Sequence, residues 1–259
     1  FSNWVAGGQN NISGTGNINY DFNYLKGDWT WDNKLLISYG LTKTKDQGTR
    51  KSDDRFEFNS LVGKKAFGNW NYSFFLNLKT QMTKGFDYSH DEDTDFHTSG
   101  FFNPGYLTFG PGLEWKESEN LKFNLAPATS KLTFISDDLW IYDSGLDQFV
   151  QHSGADNVNN LSAYGIDPGD QSRYELGFYA SGYYKFNLME NVSVENILNL
   201  YSNYLEDPQN VDLDYTLNVV MKINEYLSTN FTVQTVYDDN AVSALQLREV
   251  FGLGVNVGF

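Results

Sequence analysis

Between Asn11 and Tyr24 the odd positions are Asn, Ser, Thr, Asn, Asn, Asp and Asn, while the even positions are Ile, Gly, Gly, Ile, Tyr, Phe and Tyr. A repeat of two is the signature of an extended strand with one polar and one apolar face. The pattern returns along the chain. Odd positions from Trp29 to Leu41 read Trp, Trp, Asn, Leu, Ile, Tyr, Leu, and even positions from Trp70 to Met82 read Trp, Tyr, Phe, Leu, Leu, Thr, Met. Even positions from Tyr174 to Leu188 and odd positions from Val211 to Ile223 continue it, and Leu245, Leu247, Glu249, Phe251, Leu253, Val255, Val257 and Phe259 close the chain on one face. Less regular strands are expected over 56–66, 106–115, 121–135, 192–204 and 227–237. About 11 strands are readable, most of them longer than the ~5–6 residues usual in globular proteins. They suit the ~9–11 tilted residues that cross a bilayer.

Strict alternation fits either a half-buried soluble sheet or a wall between lipid and water. Loop lengths separate the two. Tight turns fall at 26–28, 67–69, 116–120, 189–191 and 224–226. Between them lie longer polar segments near 43–54, 84–100 and 137–172, and shorter ones at 205–210 and 238–244. Short turns at one rim and longer loops at the other are the habit of outer-membrane barrels. Aromatic residues sort the same way. Trp29, Trp31, Trp70 and Trp115 lie beside the short turns, and Phe58, Tyr39, Tyr174, Tyr204 and Tyr237 lie toward the other end, as two interfacial girdles would, with Phe259 at the terminus. The expected architecture is therefore all-β: one antiparallel up-and-down transmembrane barrel of about 12 strands spanning 1–259. It has an N-terminal segment at 1–10, short periplasmic turns and a long extracellular loop at 137–172.

Composition agrees in two respects. Aromatics make up 17% of the 259 residues, yet no apolar run approaches the roughly 18 residues of a spanning helix. Cysteine is absent, so neither disulfides nor thiolate metal sites contribute. The net charge of −15 argues against nucleic-acid binding. Almost all of it has one address. Residues 84–100, 137–172, Glu206, Asp207 and Asp239 together hold 15 acids against one lysine, at the expected outer rim.

The face opposite the apolar one lines the expected lumen with Asp21, Asp32, Lys34, Glu57, Lys65, Lys79, Glu114, Lys122, Arg173, Glu175, Lys185, Glu195, Asp212, Asp214, Lys222 and Arg248. Balanced charges inside a small barrel favour a paired filling, because an unpaired buried charge is costly. About 12 strands lie between filled 8-stranded barrels and open porins, so a narrow or plugged lumen is expected, with a small-solute diffusion channel as the alternative. The histidines, His90, His97 and His152, all fall in outer loops, where a rim hydrolase with Ser–His or Asp–His pairs is a third reading. No catalytic residue and no cofactor are expected. Asp91, Asp93 and Asp95 with His90 and His97 form a candidate site for a divalent cation, although the Gly and distal Glu of an EF-hand loop are missing. Asp53 and Asp54 are expected to end a turn.

Strand parity adds one expectation. Bacterial single-chain barrels usually have even strand numbers, and 1–8 is too short and Gly-rich for a full strand, so either a strand upstream of Phe1 is absent from this chain or the barrel closes in another way, and a missing or unassigned N-terminal piece is expected. Several motifs resemble an uncharacterised family of outer-membrane β-barrel proteins from Bacteroidota, classed as a domain of unknown function. They are the stretches 3–13, 29–40, 50–60, 80–88, 101–113, 125–134 and 164–177. The closing FGLGVNVGF also resembles the aromatic-ended strand read by outer-membrane assembly machinery. The resemblance implies an outer-membrane location, with lipid bilayer, lipopolysaccharide, the assembly machinery and other outer-membrane proteins as partners. It supplies no catalytic residues. The role expected is that of an accessory, partner-binding surface component.

Overall fold

The computed structural model describes residues 11–45, 48–90, 95–238 and 242–255. Its strands are β1 (Asn11–Asp21), β2 (Tyr24–Lys26), β3 (Trp29–Thr44), β4 (Gly48–Phe67), β5 (Trp70–Thr80), β6 (Gly85–Phe86), β7 (His97–Ser99), β8 (Gly105–Ser118) and β9 (Leu121–Phe134). They continue with β10 (Trp140–Asp143), β11 (Gln148–Gln151), β12 (Ser172–Met189), β13 (Val192–Asn203), β14 (Asp212–Lys222), β15 (Leu227–Asp238) and β16 (Val242–Val255). Eleven long strands form one antiparallel meander in the order β1-β3-β4-β5-β8-β9-β12-β13-β14-β15-β16, with β2 continuing β1 along β3. No pairing joins β1 to β16 among the described residues. Two small hairpins, β6–β7 and β10–β11, stand apart from the sheet in the connections β5–β8 and β9–β12.

Hairpin turns at one rim are two residues long where Gly27 and Gly68 take φ of +59° and +55°, the left-handed geometry whose twist matches that of paired strands. The other rim carries the long connections. One expected loop there is strand instead: β4 starts at Gly48, so the segment read as a loop near 43–54 is paired with β3 almost throughout. Asp53 and Asp54 accordingly lie inside a strand and end no turn. The polar run from Thr49 to Arg55 hid this, because its charges are used by neighbours in space rather than by water.

The burial pattern is inverted relative to a soluble domain. Among the described residues, 15 polar or charged side chains are buried against nine apolar ones, and five of those nine belong to the segment between β9 and β12. The exposed set includes Trp29, Trp31, Tyr72, Phe74, Leu113, Tyr174, Tyr184, Leu247 and Phe251. Large apolar side chains left outside while Glu114 and Glu175 are covered is the arrangement that water alone would not select. Among the described residues strands also crowd backbone to backbone at Gly110, Gly112 and Gly177. A Cβ on Gly112 would fall 2.5 Å from the Leu125 carbonyl oxygen, and one on Gly177 would fall 2.1 Å from that of Ser202. Only glycine permits so close an approach.

Candidate functional site

The charged face of the sheet meets itself. Lys116 on β8 reaches Asp32 on β3 at 3.3 Å, and Lys122 on β9 reaches the same carboxylate at 3.7 Å. Lys79 on β5 approaches Asp214 on β14 at 3.9 Å, and Lys131 on β9 bonds Asp212 on β14 at 3.3 Å. Arg248 on β16 bonds Asp53 on β4 at 3.0 Å. These strands are not neighbours, and Arg248 and Asp53 sit eight places apart in strand order. In a flat sheet with about 4.8 Å between strands they would be roughly 38 Å apart. The sheet therefore curls around, with this face inward.

Three layers fill the interior. Toward the short-turn rim, Asp32 holds Lys116 and Lys122, and Asn71 donates to Glu114 at 3.0 Å. Lys122 also lies over the Tyr183 ring, whose hydroxyl donates to Glu195 at 2.6 Å. In the middle, Phe75 stacks on Tyr179 across the interior with centroids 4.5 Å apart. Ser73 donates to Asn124 at 2.6 Å beside them. Next to that stack Glu57 takes Arg55, Asn59 and Asn77. Toward the long-loop rim, Glu175 is 3% exposed and is held by Lys131 at 3.2 Å and Arg173 at 3.4 Å, while Arg173 extends to Glu206 at 2.6 Å. A small recess of about 20 Å³ opens here between Tyr106, Lys131, Tyr164, Arg173, Glu175 and Asp238.

Most of the interior positions read from alternation sit within this network. Asp21 and Lys34 are register partners on β1 and β3, as are Glu57 and Lys79, and Lys185 and Glu195. Lys65 pairs in register with Asn71, and Lys222 with Ser228 near the short-turn rim. Alternation did not single out the residues that tie the network together: Arg55, Lys116, Lys131, Asp53, Phe75 and Tyr179. Lys131 lies on β9, where a register shift opposite Gly177 breaks the period of two. Phe75 and Tyr179 look like lipid-facing aromatics until their parity is compared with Asn77 and Ser181 on the same strands. The aromatic residues near the turns form a row on the outer face. Trp70 and Trp115 are register partners, Phe123 packs against both, and Tyr24 pairs with Trp31. At the other rim the Tyr174 hydroxyl meets Ser130 and the Tyr204 hydroxyl donates to the Pro127 carbonyl. Tyr237 pairs in register with Leu213, and Tyr39 with Asp54.

Above the long-loop rim the connections fold into a cap. Ile135, Leu139, Ala163 and Ile166 form a small apolar core with Ile141 and Tyr164 against it. The cap is fastened to the β5–β8 connection at several points. His97 pairs with Asp138 at 3.2 Å, the Tyr164 hydroxyl donates to the Thr98 carbonyl at 2.8 Å, and Asn103 donates to Ser136 at 2.8 Å. Phe96 packs on Trp140 and Phe149, and the His90 ring stacks on Tyr142 at 3.7 Å. The Ser136 hydroxyl, helped by His97 and opposed by slight burial, holds the Asp138 carboxyl below its ordinary value. Burial pushes the Tyr164 phenol up to about 12.

The rim histidines have definite partners. His90 meets both Ser89 and Asp87 through the same ring nitrogen, Nδ1, at 3.1 and 2.8 Å. A relay needs the acid and the nucleophile on opposite nitrogens; here the three residues make a local turn. Partial burial works to raise the Asp87 carboxyl, and its bonds from Ser89 and His90 outweigh that, so it is lowered overall. His152 is fully buried, with Nε2 3.1 Å from the Ile166 carbonyl oxygen. Of the candidate cation ligands, Asp91 and Asp93 lie outside the described residues, as does Phe259 of the girdle. Asp95 is described, and no group of three metal-ligating side chains forms among the described residues.

Residues 1–86 match a family model described as Protein of unknown function (DUF3078). No curated protein matches the chain. The matched stretch covers β1 to β6, including the pieces 3–13, 29–40 and 50–60, and stops before the cap. It assigns no activity.

Proposed function

We propose that this chain is an outer-membrane β-barrel of a Gram-negative bacterium with a plugged interior, whose folded cap is a partner-binding surface. The observation that carries the reading is the pairing of Arg248 with Asp53 inside a sheet whose outer face exposes tryptophan, tyrosine, phenylalanine and leucine. A bilayer is the solvent that suits this inversion: hydrocarbon takes the apolar exterior, and strand pairing satisfies the backbone within it. The Bacteroidota origin suggested by the motifs belongs to the same proposal.

Filling of the interior supports an accessory role over a diffusion channel. Phe75 and Tyr179 meet at van der Waals distance, and cross-interior ion pairs lie above and below them. An ordered cap fits partner binding because its loops are already fixed, which lowers the entropy lost on association. It exposes Leu146 and Val158 among many acids, a surface suited to a partner with basic and apolar groups.

Two measurements test this. Purified protein in a planar bilayer is expected to give no single-channel conductance, and steady openings would replace the plugged reading with a channel. Isolation from native outer membranes with a mild detergent is expected to bring down a stoichiometric partner that is lost when the 137–172 cap is deleted.

A further inference from the structure

We propose that Glu249 marks a face on which a second copy of this chain docks within the membrane, the two Glu249 carboxyl groups hydrogen-bonding to each other. The inference rests on the outer-membrane barrel reading and adds to it an interface that the cap does not supply.

Glu249 points the wrong way for its chemistry. The side chains of β16 that point away from the interior are Leu245, Leu247, Glu249, Phe251 and Leu253, and all five are exposed. Its neighbour Arg248 points inward, to Asp53. In register Glu249 lies opposite Val233, near the middle of β15, between the pairs Thr235–Leu247 and Phe231–Phe251. Its depth is therefore that of the hydrocarbon rather than of either rim. Among the described residues, the other charges of outward parity on the long strands sit at the rims. Lys64 lies over the Trp29 ring beside the short turns, and Asp54 bonds Lys51 beside the long loops. Glu249 makes no hydrogen bond or ion pair with the described residues. A lone carboxyl group facing hydrocarbon is unfavourable, so an ionisable side chain at that depth marks a contact.

Symmetry names the occupant. A two-fold axis along the membrane normal brings the same residue of two copies together at one depth. A carboxyl group that carries its proton is both donor and acceptor, so two of them exchange O–H···O bonds and leave no charge in the hydrocarbon. A different protein would need its own polar group facing lipid at the same depth. Leu245, Leu247, Phe251 and Leu253 supply apolar surface on either side of the pair. The acidic cap grows from the connections between β5 and β12, and β12 stands four places from β16 in strand order. Joining two copies at β16 therefore keeps the acidic loops apart and leaves both caps free.

Cross-linking tests this cleanly, because the chain has no native cysteine. The full-length polypeptide is inserted into phosphatidylcholine vesicles and treated with a short bis-maleimide. Leu247→Cys and Phe251→Cys, which bracket Glu249, are expected to give cross-linked dimers in at least tenfold higher yield than Leu76→Cys. That control is an outward position in the middle of β5, on a distant wall. Adding Glu249→Leu to either is expected to bring the yield down to the Leu76→Cys level. Glu249→Gln is expected to keep it, since an amide also donates and accepts. Equal yields at 247, 251 and 76, dimers that survive Glu249→Leu, or dimers lost equally with Glu249→Gln each overturn the proposal while the barrel reading stands. Failure of the parent chain to insert into the vesicles overturns the barrel reading itself.

Discussion

Arg248 and Asp53 meet at 3.0 Å although eight strand positions separate them in the sheet. The enclosure of the charged face depends on that curl. The pair is also the contact that brings the last strand against the first third of the chain. Asp53 is held further by the Ser38 hydroxyl.

Arg248→Ala is expected to lower stability by about 1 kcal/mol, since the arginine is half exposed and the bond is only partly shielded. The reversed pair, Arg248→Asp with Asp53→Arg, is expected to recover more than half of what either reversal alone loses. Urea unfolding in vesicles measures both. Equal loss in the double variant would mean that the two charges act separately.

Lys131 is a stronger case. It is the shared partner of Glu175 and Asp212, and Glu175 is almost fully covered. Lys131→Met leaves Asp212 without its lysine beside Glu175, which keeps only Arg173 at 3.4 Å, and is expected to cost about 3 kcal/mol. Adding Glu175→Gln and Asp212→Asn is expected to restore most of that, because the burden is the uncompensated charge rather than the lost lysine. Urea midpoints of the single and triple variants decide it.

The plug makes its own prediction. Phe75→Ala together with Tyr179→Ala removes the stacked pair that joins opposite walls, while the ionic layers above and below remain. Each truncation is expected to cost about 3 kcal/mol. The double variant is expected to conduct small ions where the parent is silent, read as single-channel events in a planar bilayer.

Cap docking carries a pH dependence. The Asp138 carboxyl is lowered from its ordinary 3.8, chiefly by Ser136. A carboxyl depressed in the folded state contributes stability that is present above the unfolded value and lost as pH falls through the folded one. The cap is therefore expected to loosen only below about pH 3.8, seen as a red shift of Trp140 fluorescence in a variant whose other tryptophans are phenylalanine. Asp138→Asn is expected to produce part of that shift at neutral pH.

The strand count, the meander and the inward parity of Asp32, Glu57, Glu175 and Arg248 were legible because a period of two survives wherever register is unbroken. Legibility failed where register shifts. At Gly40/Leu41 and Gly177/Tyr179 the ladder slips, and the roles of Asp53 and Lys131 could not be read across those points. Cross-interior partners were invisible for a different reason: alternation says which way a side chain points, and only the curl says what it meets. The length of 137–172 allows a loop that folds inward or covers the mouth, but the cap's internal fold was hidden because its core is four residues scattered over 135–166, with no period at all.

The central claim is that the apolar exterior contacts hydrocarbon and the charged face is enclosed. Quenching of tryptophan fluorescence by lipids brominated along the acyl chain tests it most directly, with the protein inserted in vesicles and Trp4 and Trp140 replaced by phenylalanine. Trp29, Trp31, Trp70 and Trp115 lie on the outer face near one rim. They are expected to be quenched most by bromines near the headgroup and progressively less toward the bilayer centre. Fluorescence indifferent to the brominated lipids, from a protein that stays dissolved without detergent, would contradict the account.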